Sequence, residues 1–388
     1  MIITRNPNRI AAYLEDLKAE ISRVAALLTP GRPVVQIQWG GGTPTYLSPE
    51  QIADVFHHLQ EHFTIAPDAE ISIEIDPRNL TPEHLPTLRR LGFNRVSFGV
   101  QDFDPRVQEA VNRVQPEALT RRLVEQSREL GFHSINIDLI YGLPYQTVDS
   151  YARTLEKVID IGPDRLAVFN YAHVPWMKKH QRVIPEAALP DTRTRLEMFK
   201  LIIERLTEAG YVYIGLDHFA RPDDKLAVAL RNKTLYRNFQ GYNTRAGAEV
   251  FAFGITAISQ LNEVYAQNVK DTRSYHERLS EGSLATAVGF RLGPDDLLRR
   301  HVITDLMCNL QILKAAVSRR FGIDFDQYFA AELADLEPFI QDGLVTVEAD
   351  RILVRPEGRL VIRNIAMVFD RYLRQVDARM AGRYSRTV

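Results

Sequence analysis

The residues of this chain able to do chemistry gather where short apolar runs end. Gly40, Gly41, Gly42 and Thr43 close the run VVQIQWGGGTP (34–44), and Glu74 and Asp76 close EISIEIDP. Gln101 and Asp102 follow RVSFGV, Asp138 and Tyr141 lie in NIDLIYGLP, and Asn170, Tyr171 and His173 follow RLAVF. Asp217 and His218 end the run that starts at Tyr211. Every run thus finishes in hydrogen-bonding side chains or bare backbone, which suits a ligand site. Three residues without a Cβ let the backbone reach positive φ and let a ligand approach its N–H groups. A triple glycine alone is an ordinary flexible turn. Glu74 reads as a buried acceptor or as a partner for ribose or amine donors. Arg113, in VNRVQ, is either a surface charge or a fork for a ligand carboxylate. His173 and His218 show no HxH or HExxH spacing, so hydrogen-bonded histidines are expected rather than metal ligands. No nucleophile–base pair or phosphate loop stands out.

The elements that must position these groups repeat. The runs Val34–Trp39, Ile71–Ile75, Arg95–Val100, Ser134–Ile140, Arg165–Asn170 and Tyr211–Leu216 recur roughly every 25 to 45 residues, the spacing of βα units. Several lack polar alternation, as parallel strands covered on both faces do. Ser48-Pro49-Glu50-Gln51 predicts a capped helix start, and Thr81-Pro82-Glu83 starts another. Gly92, Gly131, Gly162 and Gly210 stand where left-handed residues end helices, each just before a strand. The rhythm predicts an α/β fold, a parallel barrel or partial barrel whose site lies at the carboxyl ends of its strands. Past Leu216 it breaks: residues 218–290 read as loop-rich, with one compact apolar stretch, Val250–Leu261. From about residue 294 the pattern is helical, then LVTVEADRILV reads as a hairpin around Glu348-Ala349-Asp350, a winged-helix-like end. The tail with Arg379, Arg383 and Arg386 reads as a solvated terminus. Asp223-Asp224 reads as a helix N-terminus rather than a metal pair.

Composition bounds the function. The 388 residues are 45% hydrophobic and 25% charged with net charge −1, so no electrostatic footprint for nucleic acid or anionic membrane is present. That balance argues against a DNA-binding role for the winged-helix-like end. No apolar stretch reaches transmembrane length and the N-terminus lacks a signal-peptide core, so a cytoplasmic address is expected. Cys308 is the sole cysteine and reads as a small buried hydrophobe. A multi-thiolate metal site built from this chain alone is excluded.

WGGGTPTYL, EISIEIDPR, GVQDF with VNR downstream, NIDLIYGLP, FNYAHVP, DHFARPDDKLAV, RNFQGY and RLVIRNIAMVFD stand here in one order. Together they closely resemble the oxygen-independent coproporphyrinogen III oxidases, radical S-adenosylmethionine dehydrogenases of haem biosynthesis. The resemblance runs from Ile2 to the C-terminus. It implies a partial (β/α) radical-SAM-type barrel without its first strand over residues 1–217. A loop-rich extension over 218–293 would complete the active-site wall, and 294–388 would form a small helical domain.

In such proteins a 4Fe-4S cluster, held by three cysteines of a CxxxCxxC loop, reduces S-adenosylmethionine to a 5′-deoxyadenosyl radical. The radical takes a hydrogen from a propionate of coproporphyrinogen III. Loss of carbon dioxide and an electron leaves a vinyl group, at two propionates, giving protoporphyrinogen IX; the cofactors carry the hard chemistry. By motif position, Gly41, Gly42 and Thr43 would hold the methionyl part through backbone contacts. Glu74, Gln101, Arg113 and Asp138 would bind ribose, amino or carboxylate groups, and Ala172 and Ile258 would contribute mainly backbone. The family site accommodates two S-adenosylmethionine molecules. Gln240 would lie on the substrate side. The implied partners are coproporphyrinogen III and an electron donor, with no nucleic acid or membrane, and a monomer is expected. The cysteine loop would lie N-terminal to Met1, so the chain as given is expected to be truncated and to bind no cluster. Radical activity is then not expected of it alone. The alternative within the family is a non-catalytic haem- or porphyrin-binding relative.

Overall fold

The computed structural model describes Thr4 and residues 6–375; Met1-Ile2-Ile3 and the tail arginines Arg379, Arg383 and Arg386 lie outside the described residues. The apolar runs form strands β1 (Pro33–Trp39), β2 (Thr64–Ile75), β3 (Arg95–Gln101), β4 (Ser134–Tyr141), β5 (Arg165–Asn170) and β6 (Val212–Gly215). With β7 (His218–Ala220) they make one seven-stranded sheet in the order β1-β2-β3-β4-β5-β7-β6, the open sheet of a partial (β/α) barrel. The α/β expectation holds. β1 and β2 pair in parallel with Trp39 opposite Ile73, and β2 and β3 with Glu74 opposite Ser97. Ile73, Ile75, Val96, Phe98 and Val100 are buried, as the unbroken apolar runs require.

Helices α1 (Pro7–Leu27), α2 (Pro49–His62), α3 (His84–Arg90), α4 (Pro105–Ala110), α5 (Glu117–Glu129), α6 (Val148–Ile161) and α7 (Thr192–Glu208) punctuate the strands. Ser48 and Gln51 form the expected capping box at α2, with Pro49 in the first turn. Gly92, Gly131, Gly162 and Gly210 all take positive φ, as the helix-ending pattern requires.

One expectation needs correcting. The run Tyr211–Leu216 does not lie beside β5 as a sixth parallel neighbour. Gly215 at φ +143° and Leu216 at φ +51° reverse the chain after β6, so β7 returns antiparallel and inserts between β5 and β6. Two residues in left-handed backbone make that tight reversal possible, and the Asp217 carbonyl accepts the Val168 N–H to hold it on β5.

The chain divides into two compact units. The first comprises Met1–Val100, Gln115–Ile137 and Gly247–Leu292. Within it, α1 packs Leu14 and Ile21 on Val55 of α2. Asn6 caps α1 and Pro7 occupies its first turn. Part of the stretch read as loop-rich is an antiparallel sheet of β10 (Ile258–Gln260), β11 (Val264–Asn268) and β12 (Thr286–Arg291), with helix α9 (Thr272–Ser280). Here the buried Glu20 carboxylate accepts from the Gly254 N–H, Asn268 Nδ2 and Tyr275 Oη at 2.7, 2.6 and 2.6 Å, fastening α1 to this sheet.

The second unit comprises Gln101–Val114, Asp138–Ala246 and Gly293–Val388. Helix α8 (Lys225–Arg231) starts on Asp224, which accepts from the Leu226 N–H, as its acidic pair predicts. The hairpin β8 (Tyr236–Asn238) and β9 (Gly241–Asn243) follows. Helix α10 (Pro294–Asn309) then leads to a small sheet, β13 (Gln311–Leu313), β15 (Arg351–Val354) and β14 (Val345–Val347), whose β14–β15 pair is the expected hairpin. Cys308 is fully buried in this unit's core with Val302, Leu306 and Ile312. No described helix is long and apolar enough to cross a membrane.

Candidate functional site

Each unit carries its own group of strand-end residues with the chemistry to meet a ligand. In the first unit, β1 opens into the exposed loop Gly40–Gly42 beside the end of β2. Of these three glycines only Gly41 takes positive φ, +82°. Gly40 is there for a different reason. A Cβ on it would lie 2.5 Å from Glu74 Oε1 and 2.7 Å from Cδ, so the carboxylate occupies the space a side chain would need. Gln38 Nε2 donates to the same oxygen at 3.4 Å.

The loop is anchored just beyond the glycines. His84 Nδ1 accepts the Thr81 N–H at 2.9 Å, so its Nε2 carries the proton and donates to the Leu47 carbonyl at 2.9 Å. Trp39 stands edge-on to Phe93 at 5.7 Å and Phe56 lies 5.1 Å from Phe93, a packed aromatic floor beneath the end of β1. Thr43 is half-buried at the start of a short 3-10 turn, and Ile258 opens β10 opposite Gln267. Asp76 is spoken for: it accepts the Arg78 N–H and pairs with Arg78 Nη2 at 2.7 Å.

In the second unit Gln101 carries the clearest mark of a site. It ends β3 at φ +70°, a left-handed conformation that costs a non-glycine residue about 1–2 kcal/mol. Its Oε1 is buried and finds no donor among the described residues. The next residue holds that backbone in place. Asp102 is 1% exposed and accepts from Thr154 Oγ1 at 2.6 Å, from Gln146 Nε2 and from the Asp104 N–H, while Gln108 Nε2 donates to its carbonyl. Burial lifts the Asp102 carboxyl above its ordinary value against those hydrogen bonds.

Arg113 is half-buried and follows Asn112, at φ +52°, with its N–H bonded to the Gln108 carbonyl. Asp138 is half-buried on β4. Gly142 takes φ +85° where a Cβ would meet Arg195 Cδ at 3.2 Å and Asn170 Oδ1 at 3.3 Å. Asn170 Oδ1, Tyr171 Oη, His173 Nδ1 and Arg195 Nε are buried without a partner among the described residues. Ala172 is exposed and its carbonyl accepts Gln181 Nε2 at 3.0 Å. Gln240 is exposed at the β8–β9 turn, its N–H bonded to Asn238 Oδ1 at 2.8 Å. Sequence reasoning did not single out His84, Gln146, Thr154 or Arg195, because each meets a residue far away in the chain: Leu47 for His84, Asp102 for Gln146 and Thr154, and Gly142 for Arg195.

These residues can be tested against the two expected groups. In the first unit the glycine loop against Glu74, and in the second the orphaned Gln101 amide oxygen, each suit a ligand that brings amino or hydroxyl donors. An iron–sulfur cluster with three thiolates does not fit these residues. Cys308 is fully buried, with its thiol pushed up to about 12 by burial. Among the described residues no group of three or more His, Cys, Asp or Glu is placed to hold a metal.

The comparisons agree with this architecture. Residues 7–158 match the Radical SAM superfamily and residues 292–361 match the HemN C-terminal domain. The chain is 47% identical over 387 residues to the oxygen-independent coproporphyrinogen III oxidase of Escherichia coli, covering 100% of this chain and 84% of that protein. It is 46% identical to the enzyme of that name from Synechocystis sp., covering 96% of this chain and 81% of the relative. The solved structure of coproporphyrinogen III oxidase (HemN) from Escherichia coli, described as a radical SAM enzyme, superposes with a TM-score of 0.94 at 47% identity. That match covers 96% of this chain and 85% of the other. At 46–47% identity over nearly its whole length, the chain belongs to the oxygen-independent coproporphyrinogen III oxidase family of radical SAM proteins.

Proposed function

We propose that this polypeptide carries the S-adenosylmethionine- and substrate-binding parts of an oxidoreductase that decarboxylates two propionates of coproporphyrinogen III, giving protoporphyrinogen IX. When bound and given one electron by an external reductant, S-adenosylmethionine would supply the carbon radical that removes hydrogen from a propionate side chain. The chain's own residues bind and orient. Gly41, Gly42 and Thr43 present backbone to the methionyl part, and Glu74 accepts from amino or ribose hydroxyl groups. Gln101 offers its unpaired amide oxygen, Asp138 accepts ribose hydroxyls, and Arg113 forks onto a carboxylate. Ala172 and Ile258 contribute backbone, and Gln240 faces the substrate.

The observation that carries this reading is Gln101: a strained residue with a buried, unsatisfied amide oxygen at a strand end is a cost that a bound ligand offsets. These 388 residues hold one cysteine, so a three-thiolate cluster is not theirs to hold alone. Anaerobic iron and sulfide analysis of the polypeptide should find no stoichiometric cluster. Isothermal titration with S-adenosylmethionine should show saturable binding that Glu74→Ala weakens about tenfold or more. Unsaturable heat, or equal affinity in the variant, counts against the assignment.

A further inference from the structure

In the second unit two half-buried arginines stand over tyrosine rings. Arg359 donates from Nη2 to the Tyr213 carbonyl and rests with its Cζ 4.9 Å from the Tyr213 ring centroid. The Arg237 Cζ stands 5.9 Å from the Tyr242 ring centroid, and Arg237 and Tyr242 face each other across the β8–β9 hairpin. The Nε groups of both arginines are buried without an acceptor, and among the described residues neither guanidinium has a carboxylate within ion-pair distance.

Asp217 Oδ2 lies 3.3 Å from Arg363 Nη2, and its carboxyl feels Arg237. Lys233 is held below its ordinary value by burial and by the charge of Arg359. Burial lowers Arg359 too, opposed only by Tyr213 and Tyr242. Asp217 thus stands by Arg363 and Arg237, while Lys233 donates to the Asn309 carbonyl at 3.0 Å and Arg359 to the Tyr213 carbonyl. A guanidinium keeps its charge in a protein, and a buried N–H without an acceptor is destabilising. The deficit is the complement of an anionic ligand. Planar forks lying on tyrosine rings match carboxylates carried by a flat apolar body, and Phe239, 57% exposed at the adjacent hairpin turn, offers apolar surface.

We propose that Arg237 and Arg359 seat a carboxylate of the substrate, a propionate arm of the tetrapyrrole. This rests on the proposed function above and names residues for its substrate side.

Equilibrium dialysis of coproporphyrinogen III under argon, quantified by fluorescence after oxidation, tests it. Arg237→Gln and Arg359→Gln should each weaken binding about tenfold or more, and Arg359→Lys by less. The tetramethyl ester, which has no carboxylates, should bind wild type and variants alike. Thermal melts identify any variant that fails to fold, and the Arg359→Lys form keeps the charge if Arg359→Gln does not fold. Equal binding of coproporphyrinogen III by wild type and folded variants overturns the carboxylate seat and leaves the proposed function standing. No binding by the wild type overturns both.

Discussion

Gly40 and Glu74 occupy one space: a Cβ at residue 40 would sit 2.5 Å from the Glu74 carboxylate oxygen. The glycine exists here for a side chain on the neighbouring strand, not for its own φ. Gly40→Ala should therefore displace a flexible carboxylate rather than unfold the protein. The expected stability change is under about 1 kcal/mol, because Gly40 lies in an exposed loop and the atoms displaced are the far end of a flexible, half-buried side chain. Affinity for S-adenosylmethionine should fall about tenfold or more. Thermal melts and calorimetry read the two effects separately, and unchanged affinity would remove Glu74 from the site.

Gln101 holds a left-handed backbone that suits glycine better. Gln101→Gly relieves strain while deleting the amide oxygen, so stability should change by less than about 1 kcal/mol. Binding should nevertheless fall about tenfold or more. Gln101→Val, β-branched at positive φ, should destabilise by about 1–2 kcal/mol. A glycine variant that binds as tightly as wild type assigns the strain to folding alone.

Glu20 supplies a pH dependence. Burial raises its carboxyl above the ordinary 4.5, against the hydrogen bonds of Tyr275, Gly254 and Asn268. A folded pKa above the unfolded one means the native state holds the proton more tightly. The contribution is then complete below the ordinary value and is lost as pH rises through the raised one. The melting temperature of wild type minus that of Glu20→Gln should be largest near about pH 4 and shrink as pH rises. A flat or widening difference contradicts this.

Cys308 should be inert. A fully buried thiol pushed up to about 12 holds almost no thiolate at neutral pH, and the thiolate is the reactive form. Ellman's reagent should find no thiol in the native chain and one after denaturation in guanidinium. Rapid native reaction would show that the α10 core opens.

Much of the fold was legible because its signals are local. The Ser48–Gln51 box, Pro49 and the helix-ending glycines at 92, 131, 162 and 210 act through neighbours a few residues away, and all appear as read. Helix α1 carried the same kind of signal in Asn6-Pro7, which the reading passed over. Strand β7 is three residues long and depends on Leu216 adopting positive φ, which no residue type announces. The sheet β10–β12 hid because its strands are short: β10 takes three residues of the apolar stretch Val250–Leu261, and β12 is largely exposed. At the site, the glycine loop and the strand-end carboxylates were visible as types. The strain at Gln101, the His84 anchor and the Asp102–Thr154 bond were not, since each joins residues whose proximity only the folded chain creates. Arg237 and Arg359 lay inside the quoted RNFQGY and RLVIRN stretches, yet only their missing counter-charges mark them.

A crystal structure of the polypeptide grown with S-adenosylmethionine tests most directly whether the strand ends of this sheet hold that ligand, as proposed. Density contacting the backbone of Gly41 and Thr43 and the side chains of Glu74, Gln101 and Asp138 is the predicted result. A ligand seated elsewhere, with Gln101 Oε1 still unpaired, would contradict it.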